Sequence, residues 1–328
     1  MSEAIRVRDL SVEFRMDDRI LPAVRNVHLD VPQGRILGLI GESGSGKSTV
    51  AFAMVNQVPK PGHITSGTVE FEGFGTLFDK PDEVQRRFRW QQVSVVFQAA
   101  QNTLNPLMRI RAQIEDIAKA HGIQNTEGVV QHARDLCTTV HLDADRVMRS
   151  YPHELSGGMR QRLGVVLALL LNPKVIILDE PTTALDVLSQ ESVIDIIRRI
   201  NAELGLTIVF ITHDLSVVAE LAHDVAVMYA GRVVEQGTVE QVFTRPRHPY
   251  TQGLVKAIPP LFGDLSDVHA MPGSPPNPAH LPSGCPFHPR CPSRIAICEQ
   301  VEPQFVRTPD GRSVACHVVA QNEEVSLA

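Results

Sequence analysis

The sequence predicts an α/β fold built on a parallel sheet with helices on both faces. Three observations carry this expectation. Short runs dominated by aliphatic residues, Ile36–Ile40, Val175–Leu178 and Thr207–Ile211, have the length and continuity of strands buried on both sides. Amphipathic segments such as Val187–Leu204 separate them, as crossover helices do. The first run opens directly onto Gly41-Glu42-Ser43-Gly44-Ser45-Gly46-Lys47-Ser48, which fits G-x-x-x-x-G-K-[ST]. It is followed by Thr49–Val58, mostly apolar and free of Gly and Pro, as a helix would be. In that strand–loop–helix setting the glycines let backbone N–H groups turn toward phosphate oxygens, and the helix N-terminus adds positive potential. The stretch is a nucleotide-phosphate site.

The remaining elements follow in order. Ile5–Phe14 alternates as a strand, a polar turn spans Met16–Arg19, and Val24–Val31 reads as a second strand. Ser66–Phe71 and Val93–Phe97 are β-branched and aromatic, hence further strands. From Ile110 to about Val147 the spacing turns helical, and a helix is expected over Met159–Leu171. Val225–Tyr229 and Arg232–Gln236 form a hairpin turned at Gly231. A mostly helical insert, about residues 98–165, thus sits inside an α/β core of residues 1–258. Beyond Ala257 the composition changes: 12 of 23 prolines fall between Pro259 and Pro309, and four of five cysteines lie beyond Ala257. Residues 259–328 are expected to be a small, loop-built extension.

The totals exclude several classes. The chain has 328 residues, enough for one large or two ordinary domains with a sizeable core. A net charge of -6 opposes a nucleic-acid footprint. Leu163–Leu171, the richest apolar run, is far too short to span a bilayer, and Met1–Arg6 has no apolar core of a secretory signal. A reducing cytosolic setting is expected, with any membrane role exercised through partners.

Ligands of α/β sheets sit at the carboxyl ends of strands, and three such ends here are polar. Lys47 reaches β- and γ-phosphates, and the Ser48 hydroxyl and Asp179 suit a Mg²⁺ shell. Glu180 is placed to polarise or deprotonate an attacking water, and His213 to hydrogen-bond the γ-phosphate or that water. Leu155-Ser156-Gly157-Gly158-Met159-Arg160-Gln161-Arg162 supplies an N-cap serine and two glycines at a helix start, a second anion site. One loop already holds one triphosphate. Two chains facing each other, each lending its serine turn to the other's γ-phosphate, use both sites.

These motifs, over roughly residues 5–240, resemble the nucleotide-binding subunit of an ABC transporter. The resemblance implies a P-loop cassette with a RecA-like core, an antiparallel β part and an inserted helical subdomain. It implies that Gly41, Ser43, Gly44, Ser45, Gly46, Lys47, Ser48 and Thr49 form the Walker A loop, and that Gln98 is the Q-loop glutamine and a Mg²⁺ ligand beside Ser48 and Asp179. It further implies that Leu155, Ser156, Gly157, Gly158 and Gln161 belong to the signature, Asp179 and Glu180 to Walker B, Asp186 to the D-loop, and that His213 is the switch histidine. Phe14 is either an adenine-stacking ring or a core phenylalanine.

Narrower features, Thr103-Leu104-Asn105-Pro106 and Arg247-His248-Pro249-Tyr250-Thr251 with Ala257-Ile258-Pro259, resemble the oligopeptide/dipeptide/nickel importers. Gln98-Ala99-Ala100 departs from the Asp-Pro that usually follows the glutamine in that group. The resemblance implies an ATPase on the cytoplasmic face of the cell membrane, with two permease subunits, a second and different ATP-binding subunit, and an extracytoplasmic substrate-binding protein. It leaves peptide, nickel-chelate and oligosaccharide cargoes open. A non-transport ABC ATPase is the rival class, disfavoured by the single cassette and the absence of sustained heptads.

Cys285, Cys291, Cys298 and Cys316 are spaced C-x5-C-x6-C-x17-C. Four thiolates in a Pro-rich segment suggest a metal that holds a coreless tail together. Structural Zn²⁺ uses close cysteine pairs, which are absent, whereas four thiolates suit a [4Fe–4S] cluster. The importer resemblance selects iron–sulfur, with Zn²⁺ the alternative. Cys137, amid Leu136 and Val140, reads as a small buried hydrophobe.

Overall fold

A computed structural model describes residues 2–16, 19–97, 104–183, 185–257, 271–322 and 326–327. Two compact units emerge, one formed by Met1–Asp79 with Phe210–Ala328, the other by Lys80–Val209.

The first unit begins with an antiparallel sheet. Strand β1 (Glu3–Met16) pairs with β2 (Arg19–Pro32), Val7 opposite Leu29 and Val12 opposite Val24. All four of these residues are buried, as the alternation predicts. Strand β3 (Ile36–Ile40) is buried at every position and leads through the phosphate loop into helix α1 (Lys47–Met54). This helix stops short of Val58 because Asn56 takes a left-handed φ of 52° and Gln57 N–H bonds back to Phe52 O. Strand β4 (Gly62–Phe71) lies on the other side of β1, and β5 (Gly75–Thr76) closes the sheet in the order β2-β1-β4-β5.

The second unit holds α2 (Asp82–Gln91), β6 (Val93–Val96), α3 (Ile110–Ala120), α4 (Thr126–Thr139), α5 (Ala144–Arg149), α6 (Gly157–Leu169), β7 (Val175–Asp179) and α7 (Val187–Leu204). Strands β6 and β7 pair in parallel, Val93 opposite Val175. Capping follows side-chain chemistry: Asn125, Asp143, Ser156 and Asp186 each accept an N–H of the helix they precede. Gly205, at φ 62°, closes α7. Cys137 is fully buried, and desolvation pushes its thiol up to about 11.

Strand β8 (Thr207–Ile211) runs across the unit boundary and returns the chain to the first unit. There α8 (Leu215–Leu221) is capped by Asp214, β9 (Asp224–Tyr229) pairs in parallel with β3, and β10 (Arg232–Thr238) turns back at Ala230 and Gly231. After α9 (Val239–Thr244) and α10 (Pro249–Lys256), strands β11 (Val306–Arg307) and β12 (Ser313–Val314) continue the sheet beyond β10. Helix α11 (His317–Asn322) and β13 (Ser326–Leu327) end the chain, β13 pairing with β11.

A buried polar lattice fastens this C-terminal stretch. The Glu235 carboxylate, fully buried on β10, accepts the Arg247 and His248 N–H groups at 2.9 Å each and faces Arg312 at 3.4 Å. Desolvation raises its carboxyl despite these donors. His248 caps α10, its Nδ1 accepting the Tyr250 N–H at 3.0 Å. Burial disfavours its imidazolium and holds the ring down at about 3. The unfolded imidazole protonates near 6.5 while the folded one stays neutral. The contribution of His248 is therefore complete above about pH 6.5 and falls as pH drops toward about 3. Denaturant midpoints should decline across that window, and the decline should be shallower in His248→Gln.

Candidate functional site

The phosphate loop is shaped by positive φ angles: 150° at Gly41, 78° at Gly44 and 101° at Gly46. At two of them space as well as φ requires glycine. A Cβ on Gly41 would lie 2.2 Å from Met228 O, and one on Gly46 2.5 Å from Ala23 O. Gly46 is the N-cap of α1, so the loop ends on a helix N-terminus whose partial positive charge suits an anion. Lys47 is 7% exposed, its Nζ donating to Gly41 O at 2.8 Å, Glu42 O at 3.0 Å and Ser45 Oγ at 3.4 Å. The ammonium is thus held on the loop's own oxygens, inside the curve that an anion would enter.

At the end of β7, Asp179 is 1% exposed and Glu180 is half-buried with φ 50°. A non-glycine residue held there stores about 1–3 kcal/mol, a strain that clusters at functional positions. Thr183 Oγ1 donates to Glu180 Oε2 at 2.9 Å and fixes the carboxylate. Asp186, N-cap of α7, accepts Ser189 N–H at 2.9 Å and Ser189 Oγ–H at 2.8 Å, which lowers its carboxyl. Ser156 is exposed and caps α6 through Met159 N–H at 3.3 Å, while Leu155 and Gln161 are buried. A Cβ on Gly157 would meet nothing, and one on Gly158 would sit 3.3 Å from Ser189 Oγ, so the Ser156–Gly158 turn lies against the first turn of α7 within the second unit.

In the first unit, His213 is exposed in the loop after β8, where Thr212 Oγ1 accepts the Asp214 N–H at 3.0 Å. The half-buried Phe14 ring covers Gly62, where an added Cβ would lie 2.7 Å from its edge. Gln98 and Ala184 lie outside the described residues.

The expected metal site is corrected. Among the described residues, which include all four C-terminal cysteines, no group of three or more His, Cys, Asp or Glu is placed to hold an ion. All four are free. Burial pushes the Cys285 thiol up to about 11 and raises those of Cys291 and Cys316. Neither the [4Fe–4S] cluster nor its Zn²⁺ alternative is supported. The extension is also packed into the first unit, which the spacing of its cysteines did not suggest: Phe287 packs against Tyr229, Tyr250 and His248 at ring-centroid separations of 5.3, 5.5 and 5.9 Å.

Sequence reasoning missed the residues that join this aromatic packing to the phosphate loop. The Glu42 N–H donates to the hydroxyl of fully buried Tyr250 at 3.0 Å. Arg290 donates through both Nη atoms to the two Glu42 carboxylate oxygens, at 2.9 and 3.0 Å. The available signal was the tripeptide His248-Pro249-Tyr250, in which a cap and a proline start a helix and aim an aromatic ring inward.

A phosphate loop between β3 and α1, with an acidic end on β7, defines the nucleotide-binding cassette of an ABC transporter, an ATPase. Residues 24–183 match the ABC transporter family model, and residues 234–298 match that of the oligopeptide/dipeptide transporter C-terminal region. The chain is 41% identical to the dipeptide transport ATP-binding protein DppD of Caldanaerobacter subterraneus subsp. tengcongensis, over 97% of this chain and 98% of that protein. It is 40% identical to the oligopeptide transport ATP-binding protein OppD of Escherichia coli, over 95% of this chain and 92% of that one. The chain belongs to this family of dipeptide and oligopeptide transport ATP-binding proteins. Its fold is similar to the cassette MJ0796, solved as a dimer in a post-hydrolysis state with ADP and Pi, at TM-score 0.62 and 29% identity over 72% of this chain and 98% of that one. Among the described residues no helix is long and apolar enough to cross a membrane.

Proposed function

We propose that the chain binds and hydrolyses ATP to power uptake of di- and oligopeptides from the cytoplasmic face of the cell membrane, where it sits peripherally. The observation that carries this reading is identity to a dipeptide transport protein along almost the whole of both chains, extension included. In it, Lys47 and the loop from Gly41 to Thr49 hold the phosphates, Glu180 orients and activates water, and His213 contacts the γ-phosphate. A hydroxyl and a buried carboxylate are hard oxygen donors, so Ser48 and Asp179, with Gln98, fit Mg²⁺, which when bound supplies charge that neutralises the phosphates.

The second cassette is a different chain of the same type. Each partner presents its Ser156–Gly158 turn to the other's γ-phosphate, with Asp186 beside that junction, so ATP favours the closed pair. Loss of phosphate removes the bridge, and the helical subdomain, about residues 98–165, passes the opening to two permease subunits fed by an extracytoplasmic binding protein.

Co-expression with those partners in inverted or intact vesicles tests the reading. ATP-dependent accumulation of a labelled dipeptide is expected, and its loss in a vesicle lacking this subunit. Accumulation of a nickel chelate or an oligosaccharide without dipeptide uptake would reassign the cargo.

A further inference from the structure

The phosphate loop of the first unit is gripped from outside by residues far along the chain. Arg290 stands 248 positions after Glu42, and its side chain is 7% exposed while that of Glu42 is 24% exposed. The guanidinium also donates to Tyr229 Oη at 3.3 Å and to Pro272 O at 2.9 Å, so its planar fork is fixed on four sides. It lies 5.8 Å from the centroids of both the Tyr229 and Phe287 rings. A bidentate, half-desolvated pair of this kind specifies orientation as well as attraction. The second hold is Tyr250, whose hydroxyl receives the Glu42 N–H. Main chain and side chain of one loop residue are therefore both committed to the C-terminal segment, and Glu42 is only five residues before Lys47.

We propose that Arg290 and Tyr250 are positioning residues for nucleotide binding, a clamp by which the C-terminal segment holds the phosphate loop in its ATP-receiving shape through Glu42. This rests on the ATP-binding reading above and adds to it a role for the extension. Neither residue touches phosphate. Each narrows the freedom of the loop before ligand arrives, so the ordering that nucleotide would otherwise impose is already complete. A loop shaped in advance binds ground state and transition state alike, so the clamp acts on affinity for ATP more than on the rate of the chemical step. Linkage makes the effect reciprocal: if the clamp favours nucleotide, nucleotide must stabilise the clamp.

The experiment compares wild type, Arg290→Gln, Arg290→Lys, Tyr250→Phe, Glu42→Gln and the double variant Glu42→Gln/Arg290→Gln. Binding of a fluorescent ATP analogue and steady-state ATPase kinetics are read on the full chain. Arg290→Gln is expected to raise Kd and KM by about tenfold, the scale of a lost charge-assisted hydrogen bond, with kcat within about twofold. Tyr250→Phe keeps the ring and its packing, and should raise both by about threefold. Arg290→Lys keeps the charge but not the fork and should fall between wild type and Arg290→Gln. The double variant should be no weaker than Arg290→Gln, since the two residues act as one unit.

Hydrogen exchange supplies a readout that mere structural support would not move. The ATP analogue should slow exchange of amides 285–292 in wild type and not in Glu42→Gln. If Arg290→Gln fails to fold, Tyr250→Phe and the exchange measurement decide the matter. Unchanged Kd in correctly folded Arg290→Gln and Tyr250→Phe overturns the clamp while leaving the ATPase reading intact. A wild-type chain that binds no ATP removes that reading, and the clamp with it.

Discussion

Replacing Glu180 with glutamine is expected to lower ATP turnover by about 10²- to 10⁴-fold while nucleotide affinity stays within a few-fold, the range for loss of a positioned general base. The carboxylate sits at the end of a fully buried strand, on a residue at φ 50°, with Thr183 Oγ1 holding one oxygen at 2.9 Å. Glutamine fits the same space and keeps an acceptor oxygen for Thr183, so the fold and the strained turn should survive. What it cannot do is take a proton from water. With hydrolysis blocked, ATP should accumulate in the closed pair, seen as a nucleotide-dependent rise in apparent mass on size exclusion together with a loss of phosphate release. Turnover equal to wild type would move the base to another residue.

Lys47→Ala should abolish detectable ATP binding at concentrations that saturate wild type, a loss of about 10²-fold or more for removing a charge-assisted phosphate contact in a partly desolvated loop. Two effects add. The phosphates lose their cation, and Gly41 O, Glu42 O and Ser45 Oγ lose the ammonium they now share. Thermal shift gives a clean measure, because ligand at a hundred times its Kd stabilises a folded chain by about 2.7 kcal/mol. Wild type should show that shift with ATP and Lys47→Ala none. A preserved shift would mean that the nucleotide is held elsewhere.

Much of the fold was legible because its signals are local. Strand β3, the glycine loop and the start of α1 are contiguous, and β7, β8 and α7 fall where aliphatic runs and helical spacing put them. Helix α6 begins two residues earlier than Met159, since Ser156 caps it and both glycines are helical. Helix α2 was passed over because its mean composition is strongly polar, leaving Phe88 as one of few buried anchors.

The C-terminal extension was least legible. Its long-range contacts are pairs such as Arg290 with Glu42 and Arg312 with Glu235, 248 and 77 positions apart, which no window of sequence can display. Counting cysteines misled for a related reason. Spacing records how many sulfurs are present but not whether the fold gathers them as ligands, and among the described residues no such group is placed to hold an ion.

Strand β10 is shielded by a distant part of the chain. Its outer hydrogen-bonding rim is covered by residues from the far end of the chain: Glu235 and Gln236 pair with Val314 and Ser313, and Ala315 N–H meets Val234 O at 2.8 Å. Cleavage or early termination ahead of these residues would strip that rim and present a naked β-ladder, the kind of surface on which chains stack edge to edge. The extension is thus also a selvedge, and truncated forms of this subunit would be prone to clump before any question of transport arose.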